Sequence, residues 1–521
     1  MIDLAAIQDT AAFDVSALRW DADALTERAW GGDPTVWSEE PIPELADRLG
    51  WLRLPNEMEA EVHGFLKLGE SAVEEGITDV VLCGMGGSSL APEVFARTCA
   101  RSIGYPELHV LDSTHPEAVA ALTEIATSGR TWFVISSKSG TTIETNALME
   151  HFLATAGESS RFIAITDSGT SLAERARAEG FRKTFTAPSD VGGRFSALSP
   201  FGLAPAALTG VDPGPLIESA SDLASRRDHR ARHDPAVGLG LAWAGHAREG
   251  RDKLTFLTSP GLEHFSIWLE QLVAESLGKN GVGIVPVAGE STPVSDGEDR
   301  VFVTYRLEGE TAPGRPSGAP GVEIPLSSPH QLGAEMLRAE MATAAAGQAL
   351  GVNPFDQPDV EHAKRRARAA LESPHHPAED AVMLGGGEGS AAVEQLVGSL
   401  RPGDYLAIHA YLAPSVEVDA AVSAFRKRVT EATGCATTFG YGPRFLHSTG
   451  QLHKGGPPKI KVLQLVDRPQ VDVPIEALGI TFGRLVAAQA AGDRSALEER
   501  RRAVTVIDVT ETDVAILGSS L

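Results

Sequence analysis

Short apolar runs alternate with helical patterns along most of this 521-residue chain. Residues 1–70 read as a helical, amphipathic segment. After it, ITDVVLCG (77–84), HVLD (109–112), TWFVISS (131–137) and RFIAITD (161–167) predict strands separated by helices. Strands apolar on both faces belong to a parallel sheet covered by helices, and such sheets carry ligand-binding residues at the carboxyl ends of their strands. A connecting segment near 190–235 precedes a second series. It comprises the strand LTFLTS (254–259), the helix LEHFSIWLEQLVAES (262–276) and the strands VGIVPVA (282–288) and VFVTYRL (301–307). Residues 308–321 read as a surface loop, and the Ala-rich helix 332–350 leads into the turn GVNPFDQPDV. Beyond a linker at 372–379, DYLAIHAYL (404–412), the helical stretch 418–434 and KIKVLQLV (459–466) predict a third, smaller α/β module ending near Leu521. The expected division is therefore a helical segment at 1–70, α/β domains at 71–235 and 236–370, and a C-terminal module at 380–521.

Composition narrows the partners. With 42% hydrophobic and 22% charged residues the chain is of the soluble globular type. A formal charge of -25 argues against nucleic acid and against an anionic membrane surface, while leaving room for a small anion held by a local cluster. The start MIDLAAIQDTAAFDV has no basic residue leading an apolar core, and no run of about 18 apolar residues follows, so a cytoplasmic location is expected. Cys83, Cys99 and Cys435 are an odd set without metal spacing and read as small buried apolar residues. His, Asp and Glu show no metal-ligand spacing either, so no metal and no cofactor are expected.

Three loops carry candidate chemistry. Gly84-Met85-Gly86-Gly87-Ser88-Ser89 follows a strand and precedes a helix, so its amides can approach an anion closely. A structural Gly turn and a dinucleotide contact, with Asp112 as ribose acid, are the competing readings. Ser136-Ser137-Lys138-Ser139-Gly140-Thr141-Thr142 brings hydroxyls and one cation to a helix N-terminus, a setting for a phosphate dianion; the bland alternative is helix capping alone. In Asp190-Val191-Gly192-Gly193-Arg194-Phe195-Ser196, two glycines set an arginine close to backbone, where it can stabilise an oxyanion or simply decorate a surface turn.

Together these segments resemble the phosphoglucose isomerase family, most specifically at SDVGGRFSALSPFG (189–202). GMGGSSLAP (84–92), SSKSGTTIET (136–145), AESLGKNGVGIVPV (274–287) and GVNPFDQPDVEHAK (351–364) extend the match in the family's order over roughly 40–370. The resemblance implies two doubly wound sugar-isomerase sheets and a homodimer whose site borrows residues from both subunits. It also implies a hexose phosphate substrate that is isomerised between glucose 6-phosphate and fructose 6-phosphate. By motif, Gly87 and Ser88 would touch the sugar, and Ser137, Lys138, Ser139 and Thr142 would hold the phosphate. Arg194 would stabilise the enediolate, and Glu275 would move the proton between C2 and C1. Lys364 and His330 would act at the ring oxygen, His330 through a His-x-Leu-Gly match only.

Each carried-over role has a plainer alternative: Glu275 as a solvated or supporting acid, Lys364 as the first cation of a basic run, His330 as a capping or packed ring. Two other functions compete, an isomerase that also accepts mannose 6-phosphate and a non-catalytic sugar-phosphate sensor. The C-terminal GYGPRFLHSTGQLHKGGPP (440–458) resembles the tail of bacterial proteins that fuse transaldolase to phosphoglucose isomerase. Its His447, His453, Lys454 and Arg444 read either as a second anion site or as a structural loop.

Overall fold

The computed structural model describes residues 3–290, 297–358, 366, 371, 378, 381–385, 387–510 and 514–519. The first parallel sheet contains β1 (Asp79–Gly84), β2 (Glu107–Leu111), β3 (Thr131–Ser136), β4 (Phe162–Asp167) and β5 (Lys183–Ala187), in the order β2-β1-β3-β4-β5. Every residue of β3 is buried, as are all but the first of β1 and all but the last of β4, which is why these strands read as unbroken apolar runs. KTFTA of β5 alternates instead, because it closes the sheet edge; a short alternating run of this kind escaped the sequence reading.

The second parallel sheet has the order β7-β6-β8-β9, from β6 (Lys253–Thr258), β7 (Val285–Val287), β8 (Arg300–Leu307) and β9 (Gly321–Leu326). Glu263–Leu277 and Leu332–Leu350 form the two helices expected there, within a residue or so at each end. The third sheet joins β10 (Val382–Met383), β11 (Tyr405–Tyr411), β12 (Ala436–Tyr441) and β13 (Ile460–Val466). A two-stranded antiparallel pair, β14 (Pro474–Ile475) with β15 (Ile480–Thr481), leads to the helix Phe482–Glu499 and to β16 (Ala503–Asp508), giving the parallel order β10-β16-β13-β11-β12.

Cores are shared between these layers. One apolar cluster runs from Leu4 and Trp20 through Trp51, Phe65, Phe95 and Trp132 to Trp243, Trp268 and Phe355. The N-terminal segment is thus built into the molecule. Trp20 Nε1 donates to Gln348 Oε1 at 2.9 Å and Trp37 Nε1 to the Ala344 carbonyl at 2.8 Å, both on the Leu332–Leu350 helix. It is not helical throughout, since its helices are confined to Ala11–Ala22, Leu25–Trp30, Leu54–Met58 and Val62–Glu74 apart from short 3-10 turns. Ala274, Val285 and Val287 of the second unit pack with Tyr405, Ala407 and Leu452 of the third. Ile475, Phe482 and Leu485 of the third join Phe133, Leu148 and Phe152 of the first. Among the described residues no helix is long and apolar enough to cross a membrane. Cys83, Cys99 and Cys435 are buried free thiols; burial pushes the Cys83 thiol well up and that of Cys99 to about 12.

Candidate active site

A parallel sheet of order 2-1-3-4-5 reverses its winding between β1 and β3, and the crevice at that point is where ligands bind in open α/β sheets. All three candidate loops leave the carboxyl ends of strands of this sheet. The first and third touch backbone to backbone. A Cβ on Gly87 would lie 2.0 Å from the Gly193 carbonyl oxygen, so no larger residue fits without separating the loops. Gly86 adopts φ 55°, in the region that favours glycine, and a Cβ there would lie 2.5 Å from the carbonyl oxygen of His447. Ser88 is half-buried in the same turn, while Ser89 Oγ donates to Asp112 Oδ2 at 3.1 Å. Asp112 is also paired with Arg444 Nε at 3.1 Å, so this acid is engaged in structure and not presented to a ribose.

In the second loop Ser137 Oγ donates to Thr142 Oγ1 at 3.1 Å, and Ser139 and Thr141 hydroxyls pair at 2.9 Å. Thr142 precedes the helix Ile143–Ala156 without bonding any of its amides through its side chain. Capping alone therefore does not account for the hydroxyls, and the first-turn amides keep their capacity for an anion. Lys138 Nζ bonds Asp167 Oδ2 and donates to the Ser189 carbonyl at 3.1 Å. Its charge is tied to the third loop, which leaves the helix terminus as the main electropositive element of the cradle. Burial raises the Asp167 carboxyl from its usual range, against the opposing pull of Lys138.

Arg194 lies buried between the first and second units. Its Nε donates to Ser276 Oγ at 2.7 Å, Nη2 to the carbonyls of Pro354 (2.7 Å) and Asp356 (3.0 Å), and Nη1 to Gln357 Oε1 at 3.1 Å. Nη1 also stands 3.4 Å from Glu275 Oε1. The GGR turn, the AES segment and the NPFDQ turn are thereby fixed around one guanidinium, whose planar fork suits several acceptors at once. Glu275 is buried near the end of its helix, and its Oε2 accepts from Gln271 Nε2 at 3.2 Å, one helical turn back. Burial raises its carboxyl above the ordinary value; Arg194 opposes that shift, followed by Gln271 and His447. A carboxylate so placed takes a proton more readily than a surface acid.

Of the remaining expected residues, Lys364 lies outside the described residues. His330 sits in the turn before the Leu332–Leu350 helix, where its ring meets Ser328 Oγ at 3.4 Å and its carbonyl accepts from Ser219 Oγ at 2.8 Å. Among the described residues no hydrogen bond or ion pair joins it to Arg194 or Glu275. The cations of the suggested second anion site are matched by carboxylates: Arg444 by Glu93 and Asp112, Lys454 by Asp493 at 2.6 Å.

Sequence reasoning missed several participants. Gln271 holds the Glu275 carboxylate. Lys279, four residues beyond Glu275, is buried and donates to Asp356 Oδ1 at 2.6 Å, and burial brings its ammonium down to about 8. Glu144, inside the SSKSGTTIET segment, is buried on the Ile143–Ala156 helix; its position within a motif was the available signal.

A hydroxyl-lined anion cradle beside a buried carboxylate–guanidinium pair on parallel α/β sheets defines a sugar-phosphate isomerase class of protein. Residues 63–293 match the family Phosphoglucose isomerase. The chain is 29% identical over 398 residues to glucose-6-phosphate isomerase of Rubrobacter xylanophilus, covering 64% of this chain and 91% of that protein. It is 30% identical over 399 residues to glucose-6-phosphate isomerase of Prochlorococcus marinus, covering 65% and 74%. Among solved structures, a hypothetical protein of Thermus thermophilus aligns with TM-score 0.58 at 27% identity, over 72% of this chain and all of that one. A glucose-6-phosphate isomerase of Chlamydia trachomatis shares the fold, with TM-score 0.52 at 20% identity over 67% and 79% of the two chains. The chain belongs to the phosphoglucose isomerase family.

Proposed function

We propose that the chain interconverts glucose 6-phosphate and fructose 6-phosphate, with Glu275 as the carbon base. The observation that carries this is the 3.4 Å contact of a buried Glu275 with Arg194, on loops packed against the Gly87 turn beside the phosphate cradle. In this reading Ser137, Ser139, Thr142 and the Ile143–Ala156 helix amides hold the phosphate, Lys138 closes the loop, and Gly87 and Ser88 meet the sugar. Glu275 takes the proton from C2 of the open aldose and returns it to C1, while the electron pair moves from C2–H into an enediol and back. Each well-placed transfer contributes about 10²–10⁴-fold. Arg194 stabilises the charge that builds on the enediolate oxygens. A sensor would need the cradle but no buried base, and the Glu275–Arg194 pair favours catalysis.

The family resemblance assigns acid–base work at the ring oxygen to Lys364 and His330. Because the resemblance also implies a homodimer whose site borrows residues from both subunits, His330 would enter the site from the partner subunit. A cytoplasmic enzyme of three sheet-centred units, with the 440–458 stretch akin to that of transaldolase-fused isomerases, completes the reading. The test is a coupled assay of fructose 6-phosphate conversion with wild type and Glu275→Gln. We expect turnover in the wild type, and in the variant retained substrate binding with C2-hydrogen exchange reduced at least ~100-fold. Binding without turnover in the wild type would instead identify a sensor.

A further inference from the structure

The stretch 440–458 carries none of the proposed chemistry, and the fold lays its second half along the helix that bears Glu275. Gly450–Gly455 is a six-residue helix, too short to hold itself together in water. Its anchors lie in the body of the C-terminal unit. Lys454 Nζ donates to Asp493 Oδ1 at 2.6 Å, the rings of His453 and His409 meet at 2.9 Å, and His409 Nδ1 lies 3.1 Å from Asp493 Oδ2. All four side chains are buried. Arg502 Nη2 donates to the Lys454 and Gly456 carbonyls at 3.0 and 2.7 Å, which satisfies carbonyl groups at the end of the short helix. A buried network of mutual bonds fixes one arrangement of this helix on the sheet.

From that footing the segment reaches Glu275 from both sides along its helix. Four residues before the carboxylate, Gln271 Nε2 donates to the His447 carbonyl at 2.8 Å and to Glu275 Oε2 at 3.2 Å. The His447 carbonyl can only accept, so it selects the orientation in which the amide turns its NH2, and not its oxygen, toward the carboxylate. Three residues after the carboxylate, the Gly278 carbonyl accepts from Gln451 Nε2 at 3.1 Å. A Cβ on Gly278 would lie 2.5 Å from Leu452 Cα, so the two backbones pack directly. The Gly281 amide donates to the Gly455 carbonyl at 2.9 Å. Helix ends fray when their last carbonyls lack partners; here the C-terminal unit supplies the partner at the end of Glu263–Leu277. The same segment is tied to the phosphate side, where the His447 ring lies 3.1 Å from Glu144 Oε1 on the Ile143–Ala156 helix.

Resting on the isomerase reading above, we infer that the segment His447–Gly455 of the C-terminal unit positions the carbon base, with Gln451 as its positioning residue. The segment acts through Glu275 and takes no proton itself. It holds the carboxylate in register with C1 and C2 while the proton is carried between them, and it keeps water from the end of the base helix. A misplacement of about 1 Å at a reacting group costs ~10²-fold in rate. Loss of one of several splinting bonds should cost less.

The experiment follows a label through the full-length protein. From glucose 6-phosphate carrying deuterium at C2, wild type delivers part of the label to C1 of fructose 6-phosphate and loses the rest to water through the Glu275 carboxyl. A displaced base returns the deuteron more slowly and meets more water, so more label is lost. Gln451→Met keeps the side chain's length and removes its donor. In it we expect kcat to fall ~10-fold with KM within about twofold, and the ratio of label lost to label delivered to rise at least ~3-fold. Leu452→Ala, which loosens the packing on Gly278, should move the ratio in the same direction, and it decides the matter should Gln451→Met fail to fold. Ser415→Ala removes the side chain that caps the Val416–Thr433 helix of the same unit; it should lower the melting temperature and leave the ratio at the wild-type value. The ratio is set within each turnover, so a smaller folded fraction does not alter it. Unchanged kcat in Gln451→Met overturns the inference. So does a loss of kcat at the wild-type ratio, which is the mark of a purely structural residue. A wild type that does not convert glucose 6-phosphate at all would sink the isomerase reading itself, and the variants alone cannot produce that result.

Discussion

Glu275 and Glu340 are both buried acids, and their surroundings give them opposite expectations. Glu275 has a guanidinium at 3.4 Å and an amide donor, so removing Arg194 should move its protonation further upward. In Arg194→Met the acid limb of kcat/KM is expected at higher pH than in wild type, together with a fall in kcat of ~10²–10³-fold from lost oxyanion stabilisation. A limb that stays in place would show that a different group is the base. Glu340 lies buried in the Leu332–Leu350 helix, its Oε1 finds no hydrogen-bond partner among the described residues, and burial raises its carboxyl well above the usual value. Folding therefore retains a proton that the unfolded chain loses. Stability from this group is whole below the unfolded value, near 4.5, and declines as pH rises toward the folded one, by about 1.4 kcal/mol per pH unit. Glu340→Gln should melt with wild type at pH 4.5 and above it at pH 8; identical melting at both would mean that a hidden partner holds the charge.

Among the elements, strands with both faces covered were the legible ones. β1, β3, β4 and β11 announce themselves as apolar runs, and the Leu332–Leu350 helix was delimited to the residue. β5 and β9 were not, because their alternation follows from one exposed face, and β10 is only two residues long. The loops were legible through residue type: hydroxyls before a helix, paired glycines before an arginine. What sequence cannot convey is which loops meet. Contact of the Gly87 turn with Gly193 joins two motifs more than a hundred positions apart, through a clearance of 2.0 Å to where a Cβ would stand. Gly87→Ala should therefore displace the Arg194 turn as a unit. Its expected signature is a rise in KM and a fall in kcat together, ~10-fold or more in kcat/KM, as positioning at the Å level is lost. Normal kinetics in this variant would mean that the two turns separate without cost.

For the molecule as a whole, the same spatial logic decides how the C-terminal unit relates to the rest. Its sequence suggested a smaller module behind a linker, and its cations allowed either a separate anion site or a structural loop. In three dimensions Arg444 and Lys454 are consumed by carboxylates, and apolar side chains of this unit complete cores begun in the first and second. Surfaces of this kind, buried by shared apolar packing and by the Arg426 bonds to the Ala288 and Gly289 carbonyls, leave little to separate the units on unfolding. A direct measurement is built into the composition, because all seven tryptophans lie between Trp20 and Trp268 and the C-terminal unit has none. Tryptophan fluorescence therefore reports the first two units, while far-UV circular dichroism reports all three. The two thermal or urea transitions are expected to coincide, as in a single cooperative step. An earlier loss of dichroism at constant fluorescence would show a C-terminal unit that comes away alone. The His447 carbonyl that accepts from Gln271, the residue bonded to Glu275, would then be withdrawn with it, and turnover of fructose 6-phosphate should fall in that first phase, before any tryptophan signal changes.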